Sequence, residues 1–173
     1  MRRGRRLGVD VGQVRVGVAV CDPDGILATP LATVSRRGRP GHPGGPRSVA
    51  DLAVSEGVIE VIVGLPRSLN GREGRAAQDA RRFAAALAPL VAPAQIRLVD
   101  ERFTTTSAHA DLRASGVDTR RHRAVVDQQA AVRILQLALD VERASDFPVG
   151  GEIDSRRSSV CSQWECSPAQ GPE

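Results

Sequence analysis

The chain has 173 residues, a formal net charge of +4 and a pI near 10.0, and all 24 of its basic residues are arginine. This length suits one domain with a single core and is too short for the paired lobes of an actin-like or sugar-kinase ATPase. The positive charge favours a polyanionic partner. With three Phe, one Trp and no Tyr, base stacking is excluded as the main mode of nucleic-acid recognition, which leaves recognition of backbone and shape.

The first 35 residues predict a three-stranded meander. In LGVDVG, residues 7–12, apolar side chains alternate with two glycines and Asp10. This acid therefore shares one face of the first strand with glycines that leave room for another group to approach the backbone. The second strand is RVGVAVCD, and a Pro-Asp-Gly turn separates it from the third, ILATPLATV. An alternative role for Asp10 is to cap a turn through its own backbone.

The middle of the chain adds alternating helices and strands. Two helices with a strand between them are predicted from residue 48 to residue 90, and a further apolar strand ends in the adjacent acids Asp100 and Glu101. Together with the meander, these elements predict a mixed α/β sheet with helices on its faces. Because neighbouring side chains leave opposite faces of a strand, only one of the two acids joins Asp10 in a cluster, and Glu101 is preferred.

The segment after Glu101 is rich in hydroxyl groups and predicts the start of a helix. Arg102 precedes a run of Thr and Ser, including Thr104 and Thr105, that can cap a helix through Leu112. The N-terminus of a helix favours anions. The alternative is that Glu101 and Arg102 form a surface ion pair and that the threonines only cap the helix.

A long helix is predicted from about Arg123 to Arg143, and Asp127 interrupts its packing face. Positions 127, 130, 131, 134 and 138 form one stripe and read Asp, Ala, Ala, Ile, Ala. The small alanines allow the helix to lie close to the sheet edge where Asp10 and Glu101 emerge. The alternative is that Asp127 is a first-turn acid favoured by the helix dipole.

Three acidic positions thus lie in apolar segments. A carboxylate is costly among Val, Leu and Ala unless it is compensated, so acids from three such segments indicate a cluster that binds a divalent metal. Oxygen ligands of this kind select Mg²⁺ or Mn²⁺.

Four blocks of the sequence resemble the signature blocks of the YqgF family, also called RuvX, in the right order over about residues 6–143. The blocks are LGVDVGQVRVGVAVCD, VIVGLPRSLNGREG, VDERFTTTSA and VVDQQAAVRILQLALD. The resemblance implies an RNase H-like fold related to RuvC, with a mixed five-stranded sheet and helices on both faces. It also implies metal-dependent hydrolysis of nucleic-acid phosphodiesters and processing of the 5′ end of precursor 16S rRNA. By position, the acidic residues of the family fall on Asp10, Glu101 and Asp127.

The expected mechanism is two-metal hydrolysis by these three acids. Asp10 would bridge two Mg²⁺ or Mn²⁺ ions about 3.5 to 4 Å apart, and Glu101 and Asp127 would complete their coordination. The candidates for holding the scissile phosphate lie beside the acids in the sequence. They are Arg15 and Arg102, with Thr104 and Thr105 as hydroxyl contacts, and the alternative for each is a structural ion pair or cap.

The sequence departs from the family pattern at two positions, with Asn70 where Asp is usual and Cys21 where Ser is usual. Neither position belongs to the acidic set. The Asn weakens a catalytic assignment for the LPRSLNG block.

The C-terminal segment changes in character. Residues 146–173 lack a helical or strand period and are rich in Ser, Pro and Gly, which predicts a disordered tail after a nuclease domain of residues 1–145. The three cysteines have no zinc-site spacing. Sparse cysteines, with neither a signal peptide nor an apolar span of about twenty residues, indicate a cytoplasmic protein without a membrane segment.

Functions from other classes are also compatible with the sequence. The same acids and phosphate contacts would serve a Holliday junction resolvase that acts on branched DNA. A non-catalytic RNA-binding module in ribosome assembly would need only the basic surface, and an ATPase would need nucleotide binding and a second lobe. The expected partners are precursor rRNA, branched DNA or a ribosomal particle, bound by a monomer or a homodimer.

Overall fold

The structure, a computed structural model, describes residues 2–38, 43–66, 74–100 and 119–153, with side chains in the last range from residue 127 onward. The elements in chain order are β1 (Arg6–Val11), β2 (Arg15–Cys21), β3 (Ala28–Ser35), α1 (Pro46–Ser55), β4 (Glu60–Leu65), α2 (Arg75–Val91), β5 (Gln95–Asp100), α3 (Thr119–Ser145) and β6 (Gly151–Ile153). No helix within these ranges combines the length and apolar character needed to cross a membrane.

The strands form one mixed sheet in the order β3-β2-β1-β4-β5-β6. The meander of β1, β2 and β3 is antiparallel, whereas β1, β4 and β5 run parallel to one another. The prediction of a mixed α/β sheet is confirmed. The strand number differs, because the three-residue β6 pairs antiparallel with β5 and makes a sixth strand.

Strand β6 lies in the segment that the sequence assigns to the tail. Its Ile153 is only 7% exposed and belongs to the main core, opposite Ile96 of β5. Ordered structure therefore extends beyond residue 145, to residue 153. The predicted disorder of the remaining residues, 154–173, concerns a segment outside the described ranges.

Alternation along the strands gives the sheet two different faces. The side chains of Leu7 and Val9 join the larger core with α1 and α2, and Leu98 on β5 lies on this same face. Ile62 and Val99 point to the other face and pack against α3. Helices therefore cover both faces, as the sequence predicts.

Glycines on β1 and β2 allow α3 to lie unusually close to the sheet. A Cβ atom at Gly8 would lie 2.7 Å from the carbonyl oxygen of Ala131 and 2.6 Å from the Cβ of Leu135. At Gly17 a Cβ atom would overlap the carbonyl group of Asp127. The glycines thus fix the distance between α3 and the sheet, and α3 lies close to the sheet as its alanine stripe predicts.

A buried ion-pair cluster joins the sheet to the C-terminal half of α3. Arg6 and Glu60 are fully buried and Glu142 is 3% exposed. The guanidinium of Arg6 lies 3.3 Å from Glu60 and donates a hydrogen bond of 3.0 Å to Glu142. Arg2 and Arg97 also donate to Glu60, at 2.9 and 2.7 Å. Since buried charges require such partners, this cluster fixes the position of α3 at one end.

Candidate functional site

Asp10 lies where β1 ends, on the face of the sheet that α3 covers. It is half-buried, and its partner across the antiparallel ladder is Gly17 of β2. The backbone of Asp10 is therefore part of a strand. Asp22, at the other end of β2, caps a turn by accepting hydrogen bonds from the N–H groups of Asp24, Ile26 and Leu27.

The edge of the sheet at Asp10 is the one at which the parallel strands β1, β4 and β5 all end. In open α/β sheets, ligands bind outside the carboxyl ends of the strands. Gly64 of β4 lies near this edge, at the same level as Val99 of β5. The location of Asp10 is thus typical of a functional side chain.

Asp127 reaches the same place from α3. Helix α3 begins at Thr119, so Asp127 lies two turns inside it, and the alternative of a first-turn acid is wrong. The backbone of Asp127 contacts Gly17, which is the cross-strand neighbour of Asp10. Directly opposite residues on a ladder have their Cβ positions about 4.5 to 5.5 Å apart on the same face. The backbone of Asp127 therefore lies on the face of Asp10, against the residue that is paired with Asp10.

Arg15 contacts Asp127 directly. Its Nε donates a hydrogen bond of 2.8 Å to Oδ2 of Asp127, and the two side chains are 34% and 27% exposed. Arg15 stands on β2 two residues before Gly17, which places it on the same face of the sheet. The structure therefore gathers Asp10, Arg15 and Asp127 at one edge.

The remaining predicted site residues belong to the segment after β5. Glu101, Arg102, Thr104 and Thr105 lie outside the described residues, as does the predicted helix through Leu112.

The last residue of β5 is nevertheless informative. Asp100 is 7% exposed and pairs with Leu65. It follows the alternation of Leu98, which faces α1 and α2, whereas Val99 faces α3. Asp100 thus stands on the face opposite to Asp10 and Asp127.

A second arginine, which belongs to no motif of the sequence, supports the turn between β1 and β2. Arg36 donates its backbone N–H to the carbonyl of Val14 at 2.9 Å and its guanidinium to the carbonyl of Gly12 at 3.2 Å. Its guanidinium also lies 3.7 Å from Asp79 of α2. The only local signal is its position directly after the third apolar strand. Arg36 therefore links the backbone beside Asp10 to the first turns of α2.

Asp10 and Asp127 can contribute two carboxylates to a metal site. No group of three or more potential metal ligands occurs among the described residues. Asp10 and Asp127 nevertheless supply the oxygen ligands that Mg²⁺ and Mn²⁺ prefer, and Gly17 leaves this face without a side chain between them. The site therefore fits a divalent cation if a further acid completes it.

Cys21 lies at the far end of β2 from these acids. Its thiol is buried and accepts a hydrogen bond of 3.2 Å from the backbone N–H of Arg6. Burial raises the pKa of this thiol, which disfavours a thiolate and hence a metal ligand.

Comparison with known proteins gives consistent relatives over most of the chain. A family model described as RuvX, Holliday junction resolvase, matches residues 4–141. A Streptomyces coelicolor protein named "Putative pre-16S rRNA nuclease" is 55% identical over 154 residues, which cover 89% of this chain and 90% of that protein. A Nocardioides protein of the same name is 56% identical over 156 residues, covering 89% of this chain and 99% of that protein.

A solved structure shows the same fold at low sequence identity. The RuvC of T. thermophilus, in complex with a Holliday junction substrate, has a TM-score of 0.56 and 12% identity, and the match covers 84% of this chain and 99% of RuvC. At this sequence identity, the similarity supports a conclusion about the fold only. The predicted RNase H-like fold is thereby confirmed.

Proposed function

The chain belongs to the RuvX family of Holliday junction resolvase-like nucleases, and from this membership we propose that it cleaves the 5′ end of precursor 16S rRNA during ribosome biogenesis. Enzymes of this family are hydrolases of nucleic-acid phosphodiester bonds. The names of the relatives support the rRNA substrate. The observation that carries the proposal is the convergence of Asp10 and Asp127 at the edge of the sheet where the parallel strands end.

We propose that Asp10, Glu101 and Asp127 hold two Mg²⁺ or Mn²⁺ ions. When bound, such ions supply an activated water molecule and neutralise charge on the leaving oxygen. Asp100 stands on the face opposite to that of Asp10 and Asp127. Because Asp100 cannot easily join their cluster, its position supports Glu101, the other acid of the adjacent pair, as the third acid.

The protein groups around the acids serve the substrate. Arg15 reaches the site from β2, and its guanidinium can form paired hydrogen bonds with phosphate oxygens. The side-chain positions of Gly12 and Gly17 are occupied by the backbone carbonyl groups of Arg15 and Asp127, so these glycines allow the elements that carry the site to pack closely together. We propose Arg102, Thr104 and Thr105 as further phosphate contacts, on the pattern of the sequence.

The positive charge of the chain supports a nucleic-acid partner through its phosphate backbone. Within this partner class, we propose rRNA in the cytoplasm, free or in a ribosomal particle. Branched DNA is the second candidate, because the matching family model is described as Holliday junction resolvase. Both substrates require the same acids, so the choice depends on recognition beyond the acidic edge.

The experiment compares a precursor 16S rRNA fragment with a four-way DNA junction, each in Mg²⁺ and in Mn²⁺. We expect the wild type to cleave the rRNA fragment near the mature 5′ end and Asp127→Asn to be inactive. Asp140→Asn is the matched control, because it makes the same change at an exposed position of the same helix. Preferential cleavage of the junction would select the second candidate. Equal turnover by wild type and Asp127→Asn would contradict the metal-site assignment.

A further inference from the structure

Helix α3 makes two very different ionic contacts with the sheet. Toward its C-terminal end, Glu142 pairs with Arg6 at 3.0 Å, and their side chains are 4% and 0% exposed. Two turns inside its N-terminal end, Asp127 pairs with Arg15 at 2.8 Å, and their side chains are 27% and 34% exposed. The first pair is buried, whereas the second pair is partly exposed to water.

This difference in burial determines which pair can open. Separating Arg6 from Glu142 would leave unpaired charges in the interior, which is strongly unfavourable. An ion pair that water reaches contributes little to stability, since each partner regains its hydration when the pair opens. The guanidinium of Arg15 can therefore leave Asp127 without unfolding any part of the fold.

The positive charge of Arg15 opposes the binding of a cation beside Asp127. A guanidinium bonded to a carboxylate competes with a cation for the same negative charge, and it repels a divalent ion held a few ångströms away. The same planar donors that fit a carboxylate also fit a phosphate group. Arg15 thus has two compatible anionic partners, Asp127 and a phosphate of the substrate.

We infer that Arg15 is an exchangeable counter-ion, which neutralises Asp127 in the metal-free protein and transfers to a substrate phosphate when a divalent cation takes over the carboxylate. This inference rests on the proposed metal site and specifies the order of events there. In the absence of metal, Arg15 holds the acidic edge in a neutralised form. Metal binding releases the guanidinium, so metal and nucleic acid bind with positive coupling, which is reciprocal by linkage.

An exchangeable counter-ion and a purely structural ion pair predict opposite effects of removing Arg15 on the affinity for metal. Removing Arg15 should strengthen metal binding, because it removes a competing positive charge, whereas removing a structural support of Asp127 should weaken it. We expect Arg15→Gln to bind Mn²⁺ about tenfold more tightly than the wild type. Arg15→Lys keeps the charge and should stay within about threefold of the wild type.

The test is calorimetric titration of the full-length metal-free proteins with Mn²⁺, with melting temperatures to show that each variant is folded. Arg133→Gln is the matched control, since it removes one positive charge from an exposed position of α3. Its affinity should stay within about twofold of the wild type, because the interaction of an exposed charge is weakened by water and salt. Asp127→Asn identifies the site, because its substitution should remove the binding.

A second measurement tests the coupling between metal binding and RNA binding. The affinity for a precursor rRNA fragment is determined with and without Ca²⁺, under conditions in which the RNA stays intact on a gel. Ca²⁺ should increase the affinity of the wild type, and the increase should be at least about threefold smaller in Arg15→Gln.

The outcomes separate the inference from the proposed function. If the wild type binds Mn²⁺ through Asp127 but Arg15→Gln binds it equally or more weakly, the counter-ion exchange is wrong and the metal site stands. If no variant binds Mn²⁺ in a manner that depends on Asp127, both the exchange and the proposed metal site are overturned.

Discussion

The carbonyl group of Asp127 occupies the space in which a side chain at Gly17 would begin. The contact joins β2 to α3 without any side chain on the strand, and it places Asp127 beside Asp10, the ladder partner of Gly17. Because residue 17 has no Cβ atom, the backbone of α3 can lie directly against β2 at this point. A change at residue 17 should disturb the site although this residue carries no chemistry.

We expect Gly17→Ala to lower the free energy of unfolding by about 3 kcal/mol and to remove cleavage activity. The added methyl group would overlap backbone atoms of Asp127, which cannot rotate away as a side chain can. Thermal melts and turnover measure the two effects. Gly74→Ala is the control, because nothing lies within 4 Å of a Cβ atom there, and changing this N-cap residue of α2 should cost only about 1 kcal/mol. A fully stable and active Gly17→Ala would show that α3 does not rest on this glycine.

The acids of the proposed metal site should be individually essential. Asp10→Asn, Glu101→Gln and Asp127→Asn should each reduce turnover by about two orders of magnitude or more, with RNA binding largely retained in a filter or mobility-shift measurement. Asp100→Asn should reduce turnover much less, because Asp100 stands on the face of α1 and α2. Wild-type turnover in the Glu101 variant would remove that residue from the set.

Metal should stabilise the wild type through the same acids. An ion that binds only the folded protein at a concentration of about 100 times its Kd adds about 2.7 kcal/mol, so millimolar Mg²⁺ or Mn²⁺ should raise Tm by several degrees. Asp10→Asn should respond much less. In the absence of metal it should be at least as stable as the wild type, because one source of repulsion among the carboxylates is gone. A strongly destabilised metal-free Asp10→Asn, with both proteins indifferent to the ion, would make Asp10 a structural residue.

The buried cluster on α3 predicts a pH dependence. Burial acts to raise the pKa of Glu142, but hydrogen bonds from Arg2 and the charges of Arg6 and Arg2 outweigh it and hold the pKa below its ordinary value of 4.5. Ionised Glu142 therefore stabilises the fold above about pH 4.5, and this contribution is lost as the pH falls through the folded-state pKa.

Glu142→Gln should accordingly lower the free energy of unfolding at pH 7 by about 3 kcal/mol. The gap between variant and wild type should close as the pH falls below about 4.5. Denaturant titrations at a series of pH values measure both quantities. Glu152, which pairs with Arg97, has a side chain that is 47% exposed, so Glu152→Gln should change stability by less than about 1 kcal/mol. A constant gap across the acid range would exclude this titration as the cause.

Two truncations should locate the end of the folded domain. A chain that ends after Ile153 should keep the wild-type Tm and turnover, because β6 is then intact and the composition of residues 154–173 does not support a core. A chain that ends after Ser145 should lose several degrees, since it lacks β6 and the buried Ile153. Equal melting of the shorter chain and the wild type would show that β6 adds nothing to stability.

Much of the fold follows from local patterns in the sequence. The alternation around Asp10 predicts a strand with a glycine face, and the alanine stripe that contains Asp127 predicts a helix lying close to it. Both features arise from residues a few positions apart, where side-chain periodicity is directly readable. They therefore also predict that Asp10 and Asp127 meet.

Other features depend on partners that are distant in the sequence. Arg6 belongs to an N-terminal run of arginines that has the composition of an exposed basic segment, yet it is buried against Glu142, 136 residues away. Nothing local distinguishes Glu142 from a surface acid. Strand β6 has only three residues, too few to show a period, and it forms because β5 offers an open edge. Contacts between residues that are distant in the sequence determine the burial of Arg6 and Glu142 and the formation of β6, and local patterns do not predict such contacts.

The contact between Gly17 and Asp127 also bears on when the site comes into existence. Arg15 and Asp127 are 112 residues apart in the sequence, and α3 is the last helix along the chain within the described ranges. During synthesis, the sheet residues around Asp10 leave the ribosome long before α3 does. An unfinished chain therefore carries only part of the acidic edge. Hydrolytic competence would arise only once α3 docks, after nearly all of the domain has been made.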